Sequence, residues 1–348
     1  MKPGIIIMAL LFFGGSLFII GAGKPFSEGP ITPTWLAFRI PAGWPKPPTD
    51  IFAKNRLSEE GFQLGRKLFY DGRLSKDGNF PCASCHQQFA AFANYEHDFS
   101  HGYNNAFTKR NAPGLFNLAW MTELHWDGSI NHIEVQPLAP LTAINEMAEN
   151  IDSVLRKLRK DTAYPKMFRA AFGTMEINSQ RMLKALSQFI GSIISSNSKY
   201  DKVKKNEATF TVSEQNGYTI FQAKCAGCHK EPLFTDNSFR NNGLPLNSYT
   251  NDIGRMKISN DPKDSLKFKV PSLRNIGLTF PYMHDGRFYS LGQVIDHYTS
   301  GIQTGQPNLD TLLKNRLPMS ARDKNNLVYF LYTLSDTTMA KDPRYSQR

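Results

Sequence analysis

All four cysteines of this 348-residue chain lie in two copies of one short pattern. The first copy reads C-A-S-C-H from Cys82 to His86, and the second reads C-A-G-C-H from Cys225 to His229. Two thioethers from one helical turn can reach the two vinyl groups of a porphyrin, and the histidine that follows can bind the iron. We therefore expect two covalent c-type haems, attached through Cys82, Cys85, Cys225 and Cys228 and ligated by His86 and His229.

Composition excludes several classes of protein. Hydrophobic residues make up 41% and charged residues 20% of the chain, as in a folded globular protein. Four cysteines are too few for a disulfide scaffold of this length. The net charge of +11 is spread over both halves of the sequence, which argues against a nucleic-acid partner. The length predicts about two domains.

Residues 1–23 have the pattern of an export segment. Lys2 precedes a continuous apolar run that ends in Gly-Ala-Gly. This pattern fits a signal peptide, whose small residues would be the cleavage site, or an uncleaved anchor of nearly bilayer length. Either interpretation predicts an exported protein.

The surroundings of the two motifs are duplicated. The segment that begins at Pro113 resembles the one at Pro271, and a Trp-Asp-Gly at Trp126 has its counterpart in a His-Asp-Gly at His284 at the same offset. Upstream of each motif, Ser58 and Ser213 are candidate helix N-caps, and this match pairs Gly61 with Gly217.

Apolar residues at helical spacing predict further helices. The stripes are Ile151, Val154, Leu155 and Leu158, then Leu183, Leu186, Ile190 and Ile193, and finally Leu327, Phe330, Leu331 and Leu334 after a cap at Ser320. We expect a mainly α fold of two tandem cytochrome c-like domains with one haem each. Their predicted bounds are residues 50–200 and 205–340.

Several further motifs resemble the bacterial di-haem cytochrome c peroxidase and MauG family. They are Leu68-Phe69-Tyr70-Asp71-Gly72-Arg73, Arg110-Asn111-Ala112-Pro113, Trp126-Asp127-Gly128, Asn145-Glu146-Met147 and the run from Lys269 to Gly286. The resemblance implies two cytochrome c domains in one periplasmic chain. One haem reacts with peroxide, the other handles electrons, and a calcium ion lies between them.

The resemblance assigns roles around the first haem. Glu146 matches the distal glutamate that moves a proton between the peroxide oxygens. Trp126 matches the tryptophan between the two haems. His101 lies near the position of a sixth iron ligand in the classical peroxidases, and it is either that ligand, a pocket residue or a loop histidine. Asn111, Thr279 and Pro281 match positions that ligate calcium through amide, hydroxyl and carbonyl oxygens.

The second haem distinguishes the subfamilies. Cytochrome c peroxidases have a methionine as its sixth ligand, and Tyr298 occupies that position here, as in MauG. A methionine ligand raises the iron potential, whereas a phenolate stabilises ferric iron and lowers it. Met283 and His297 are the competing ligands.

We therefore expect a periplasmic di-haem peroxidase that reduces hydrogen peroxide with electrons from a small redox protein such as a cytochrome c. One alternative is a MauG-type enzyme that oxidises residues of a partner protein. The other is a di-haem electron-transfer or sensor cytochrome without turnover. The sequence leaves open the donor, the need for reductive activation and whether the protein forms a homodimer.

Overall fold

Helices and irregular loops make up nearly all of the computed structural model, which describes Met1 and residues 32–347. The expected mainly helical fold class is confirmed. The elements are α1 (Glu59–Phe69), α2 (Cys82–Cys85), α3 (Leu138–Thr142), α4 (Ile151–Lys160), α5 (Tyr164–Phe172), α6 (Ser179–Gly191), α7 (Lys199–Lys204), α8 (Val212–Lys224), β1 (Phe239–Arg240), α9 (Met256–Ser259), β2 (Phe268–Lys269), α10 (Leu291–Asp296), α11 (Ala321–Tyr332) and α12 (Thr337–Lys341). The strands β1 and β2 pair antiparallel, and a π-helical turn over His297–Gly301 extends α10.

The predicted export segment, residues 1–23, lies outside the described residues except for Met1. Between residues 32 and 347, no helix has both the length and the apolar character needed to cross a membrane.

Two helix crossings of the same kind organise the chain: α1 packs on α6, and α8 packs on α11. Each crossing depends on a glycine. A Cβ atom on Gly65 would lie 1.9 Å from the carbonyl oxygen of Ala185, and one on Gly217 would lie 2.0 Å from that of Asn326. No larger residue fits at either position without separating the helices.

These crossings correct the register of the duplication. The sequence comparison paired Gly217 with Gly61, but the structure makes Gly217 equivalent to Gly65, one helical turn later. Each of these two glycines is followed after four residues by a buried phenylalanine, Phe69 and Phe221. The glycine and the phenylalanine at this spacing mark the repeat, because they form the helix contact.

The predicted helix starts are confirmed in two cases and wrong in one. Ser58 caps α1 through its hydroxyl, and Ser320 caps α11 in a capping box. Ser213, however, lies inside α8. Thr211 and Glu214 exchange the two hydrogen bonds of the cap instead. A Thr-x-x-Glu sequence satisfies two free N–H groups at once, so it determines where the helix begins.

Two hydrophobic cores lie around the two crossings. The first contains side chains of α1, α4, α5 and α6, including the predicted stripes 151–158 and 183–193. The second contains side chains of α7, α8, α10 and α11, including the stripe 327–334. The stripes were therefore correctly interpreted as core.

Residues 339–345 return to the first core. Met339 and Tyr345 are buried in it. The Tyr70 hydroxyl donates to the carbonyl of Tyr345 at 2.8 Å, and the Gln88 amide donates to the carbonyl of Asp342 at 2.7 Å. The first core thus includes side chains from a distant part of the sequence. The domain bounds 50–200 and 205–340 stay predictions.

The duplication is also present in the backbone after each motif. Asn117 and Asn275 both adopt a left-handed conformation, with φ of 56° and 59°. An antiparallel bridge closes each following turn, between Leu124 and Ile130 in the first repeat and between Tyr282 and Phe288 in the second. Equivalent residues of the two repeats therefore occupy equivalent positions.

Candidate functional site

The first C-x-x-C-H motif lines a cavity that is partly open to solvent. The helix α2 is a single turn, and its two cysteines are free thiols that line the cavity together with His86. The cavity wall also contains Glu146, His101, Gln136 and Pro140.

Both motif histidines are oriented by backbone carbonyls. Nδ1 of His86 lies 2.7 Å from the carbonyl oxygen of Phe92 and is also bonded by that of Pro113. Nδ1 of His229 lies 3.1 Å from the oxygen of Phe234 and 3.2 Å from that of Pro271. A carbonyl partner holds the proton on Nδ1 and leaves Nε2 free, as in most metal-ligating histidines.

Burial lowers the pKa of His86 to about 4 and also lowers the pKa of His229. Both imidazoles are therefore neutral at pH 7, in the form that binds a metal. Paired thiols on one turn and an oriented neutral imidazole fit a covalently attached haem at each motif.

Glu146 is held against the cavity by the loop that carries His101. The Tyr103 N–H donates to the Glu146 carbonyl at 2.6 Å. Gly102 allows this contact, since a Cβ atom there would lie 2.3 Å from the carbonyl oxygen of Asn145. Burial alone raises the pKa of the Glu146 carboxyl. This carboxyl therefore keeps its proton to higher pH than an exposed glutamate does, which favours its use as a proton donor and acceptor.

Tyr298 lies at the second motif, in the π-helical turn that follows α10. Burial raises its pKa to about 12, and the thiols of Cys225 and Cys228 lie near enough to raise it further. The Asn242 side chain lies close enough to this hydroxyl to act on its pKa in the opposite direction. The predicted ligand and the predicted attachment residues of the second haem therefore lie together.

The two competing ligands, Met283 and His297, both contact Asn242. The Asn242 amide nitrogen lies 3.6 Å from the sulfur of Met283. Nε2 of His297 donates to the Asn242 carbonyl oxygen at 3.0 Å. The neighbourhood of Tyr298 includes both thiols.

Trp126 is hydrogen-bonded to the two segments whose carbonyl groups orient the motif histidines. Its indole Nε1 donates to the carbonyl of Asn111 at 2.8 Å, and its own carbonyl accepts from the N–H of Lys269 at 2.7 Å. Two residues further along each segment lie Pro113 and Pro271, whose carbonyls orient the histidines. Trp126 therefore bridges the two haem motifs through hydrogen bonds.

Comparison with known proteins agrees with this arrangement. A family model described as di-haem cytochrome c peroxidase matches residues 59–209. The methylamine utilization protein MauG of Methylorubrum extorquens is 35% identical over 303 residues, which cover 85% of this chain and 83% of that protein. The chain belongs to the di-haem cytochrome c peroxidase family. The family resemblance found in the sequence is thus confirmed, and with it an oxidoreductase family that carries two haems.

Two other members of the family support the same assignment. The cytochrome-c peroxidase IdrP1 of Pseudomonas sp. strain SCT is 31% identical over 84% of this chain and 85% of its own length. The crystal structure of a MauG-like protein associated with microbial copper homeostasis has a TM-score of 0.81 and 34% identity, and covers 89% of this chain and 99% of that one.

Sequence reasoning missed two residues of the first cavity in this di-haem peroxidase fold. Gln136 and Pro140 line it beside Glu146, before and within α3. The Gln136 amide lies 3.5 Å from Nε2 of His125. Two prolines in the segment Gln-Pro-Leu-Ala-Pro just before the glutamate could have indicated a rigid wall at this point.

His101 lines the first cavity, but its side chain is exposed. Its ring packs on that of Phe107 at 4.4 Å and lies 5.6 Å from that of His97. This position suits either an iron ligand or a residue at the cavity mouth, so the role of His101 stays a prediction.

The predicted calcium residues approach one another from two segments. The N–H of Asn111 donates to the carbonyl of His284 at 2.8 Å, just beyond Pro281 and Thr279. The Asn111 side-chain nitrogen donates to the carbonyls of His97 and Asp98. The side-chain oxygen of Asn111 is then available to bind an ion. Between residues 32 and 347, no cluster of three or more His, Cys, Asp or Glu side chains could hold a metal. The calcium site stays a prediction.

Proposed function

We propose that this protein is a periplasmic di-haem peroxidase that reduces hydrogen peroxide in the cavity beside His86. The observation that carries the proposal is the buried carboxyl of Glu146 in the same cavity as both thiols of the first motif. A cavity that only transferred electrons would have no need for a proton-exchanging group.

When bound, each haem supplies an iron that can change its oxidation state. Cys82 and Cys85 would hold the first haem covalently, and His86 would be a ligand of its iron. Peroxide reduction consumes two electrons and two protons and yields two molecules of water. A carboxyl oxygen of Glu146 would take a proton from one peroxide oxygen and return it to the other, which leaves as water. The raised pKa of Glu146 supports both halves of this transfer.

Cys225 and Cys228 would hold the second haem, with His229 and Tyr298 as its iron ligands, and its chemistry there would be to receive electrons from the donor. Trp126 supports their passage to the first site, since hydrogen bonds join it to the segments on both sides. An oxidisable indole at this point shortens the distance of each electron step. Calcium bound by Asn111, Thr279 and Pro281 would fix the same segments.

The donor that we propose is a small redox protein such as a cytochrome c. Peroxidases within this family are named for that partner, as in the cytochrome-c peroxidase IdrP1. The periplasmic location rests on the export pattern of residues 1–23.

A second candidate, MauG-type oxidation of residues in a partner protein, is favoured by Tyr298. A phenolate ligand lowers the potential of the second haem, which makes it a poor store of reducing electrons and eases its own oxidation. The relatives include both the MauG protein and a MauG-like protein associated with copper homeostasis.

The test uses protein matured with a cytochrome c assembly system. It should carry two covalent haems, and Cys82→Ala with Cys85→Ala should remove one of them. Peroxide consumption is then measured with reduced cytochrome c, and peroxide-treated mixtures with candidate partner proteins are examined for oxidised tyrosine or tryptophan. Turnover with cytochrome c supports the peroxidase, and partner oxidation without it supports the second candidate. A two-haem protein that consumes no peroxide in any redox state would refute both and indicate an electron-transfer cytochrome.

A further inference from the structure

One residue, Asn242, contacts all three side chains that could ligate the second haem iron on the side opposite His229. Its side chain lies close enough to the hydroxyl of Tyr298 to lower the pKa of that phenol, and its amide nitrogen lies 3.6 Å from the sulfur of Met283. Its backbone oxygen accepts the Nε2 proton of His297 at 3.0 Å. Asn242 itself is partly buried.

We propose that Asn242 is a positioning residue that selects Tyr298 as the distal ligand of the second haem and withholds Met283 and His297. This inference rests on the proposed attachment of that haem at Cys225 and Cys228.

The selection has a separate physical basis for each side chain. His297 is withheld because its Nε2, the atom that would bind iron, already donates to a carbonyl. Met283 is withheld because an amide N–H holds its sulfur, and a sulfur that accepts this bond has to lose it before it can ligate. Tyr298 is favoured because an N–H donor at the phenolic oxygen supports that oxygen when it is a ligand without its proton.

The loop around Asn242 is itself fixed, so the selection is built into the fold. The Asn242 amide oxygen accepts from the N–H of Leu244 at 3.3 Å. The side-chain nitrogen of the preceding residue, Asn241, donates to the carbonyl of Pro307 at 3.0 Å. The backbone of Asn241 forms a parallel β-bridge with Leu309. Asn242 therefore presents its amide from a rigid support, as a residue that orients a ligand must.

Ligand choice determines the potential of the second haem, because methionine raises it and phenolate lowers it. Asn242 would thus set whether this protein behaves as a cytochrome-dependent peroxidase or as an enzyme that oxidises a partner protein. No contact of Asn242 reaches the first cavity among those the structure describes, so its effect should be confined to the second haem.

The experiment compares N242L and N242D with L246A as a matched control, since Leu246 is an exposed residue of the same loop. N242L removes both amide contacts, and N242D keeps the size of the side chain but removes its N–H donor. The readouts are covalent haem content, the ferric spectrum of the second haem and its midpoint potential. We expect both Asn242 variants to lose most of the tyrosinate signature and to shift the potential upward. L246A should retain both properties.

The double variant N242L/M283L identifies the replacement ligand. If Met283 takes over in N242L, the double variant loses the methionine-type spectrum and the upward shift. In the wild-type protein, exchange into D₂O should shift the iron–tyrosinate vibration, since an exchangeable N–H bonds that oxygen. This measurement needs no variant and decides the matter if N242L and N242D lose their haem.

Unchanged spectra and potential in both Asn242 variants, or an iron–tyrosinate vibration insensitive to D₂O, would overturn the selection by Asn242. Tyr298→Phe separates this result from a failure of the proposed function. If Y298F abolishes the tyrosinate signature while the Asn242 variants keep it, the ligand assignment stands and only the selection is wrong. If Y298F changes nothing, the ligand assignment itself is wrong.

Discussion

Replacing Glu146 with glutamine should abolish most of the peroxide chemistry without weakening the fold. An amide of the same shape can neither take nor return a proton, and general acid–base catalysis is worth about 10²–10⁴-fold. That range corresponds to about 3–5 kcal/mol of transition-state stabilisation. Burial is the one influence that shifts the Glu146 pKa, and it acts upward. Once the carboxyl of Glu146 is ionised, its burial destabilises the folded state. Glu146→Gln removes this charge, so the variant should be as stable as wild type or more stable at pH 7.

The neighbouring Glu149 provides a matched control, because its environment shifts its pKa in the opposite direction. Burial acts upward on it, but hydrogen bonds and the charge of Lys157 outweigh burial and lower the pKa. Glu149→Gln should lose about 0.5–1 kcal/mol of stability with the ion pair and keep its peroxide turnover.

Stopped-flow peroxide consumption by the two-haem protein, with thermal unfolding alongside, tests this pair of variants. The acid limb of the wild-type rate should follow the raised pKa of Glu146, lie at higher pH than for an exposed glutamate, and disappear in Glu146→Gln. The reasoning fails if Glu146→Gln turns over at a rate close to wild type, or if Glu149→Gln loses as much rate.

Three further predictions address the fold and the electron path. Gly217→Ala should lower the free energy of unfolding by about 1–3 kcal/mol, because the new Cβ atom forces α8 away from α11. Gly292→Ala is the control and should be neutral or stabilising, because the nearest atom to its Cβ would lie 3.6 Å away. Equal effects of the two substitutions on thermal unfolding would contradict the role of Gly217 in the helix crossing. Asp201→Asn should cost about 3–5 kcal/mol, since it leaves the fully buried guanidinium of Arg274 without its carboxylate. Arg274 helps to hold the pKa of Asp201 below its usual range, so the stability of the wild-type protein should fall as the pH drops through that lowered pKa. If urea unfolding of Asp201→Asn showed the same loss of stability in acid, Asp201 would not be its cause. Trp126→Phe should leave peroxide binding at the first haem intact and slow the re-reduction of that haem through the second, and an unchanged rate in a double-mixing experiment would remove Trp126 from the path.

The attachment residues were predictable because covalent chemistry dictates their spacing. Two thioethers and an axial imidazole on one porphyrin require two cysteines separated by two residues and followed by a histidine. Helix starts at Ser58 and Ser320 were equally accessible, since a cap is a contact between residues close in sequence.

The interhelical contacts and the ligand environment were not accessible in the same way. The equivalence of Gly65 with Gly217 depends on what a missing Cβ atom allows across a helix crossing, and sequence similarity alone favoured the wrong turn. Asn242 lies in a loop without hydrophobic periodicity, and its partners Met283 and Tyr298 come from segments far along the chain. No local pattern records a tertiary contact of this kind.

The return of residues 339–345 to the first core has a consequence for biogenesis. Until Met339 and Tyr345 are in place, the aromatic side chains of the earlier half have an incomplete cover. If the chain emerges with its N-terminus first, Cys82 and Cys85 are therefore accessible to haem attachment before the first core is fully packed. Residues 339–345 would complete that core after both C-x-x-C-H motifs have emerged.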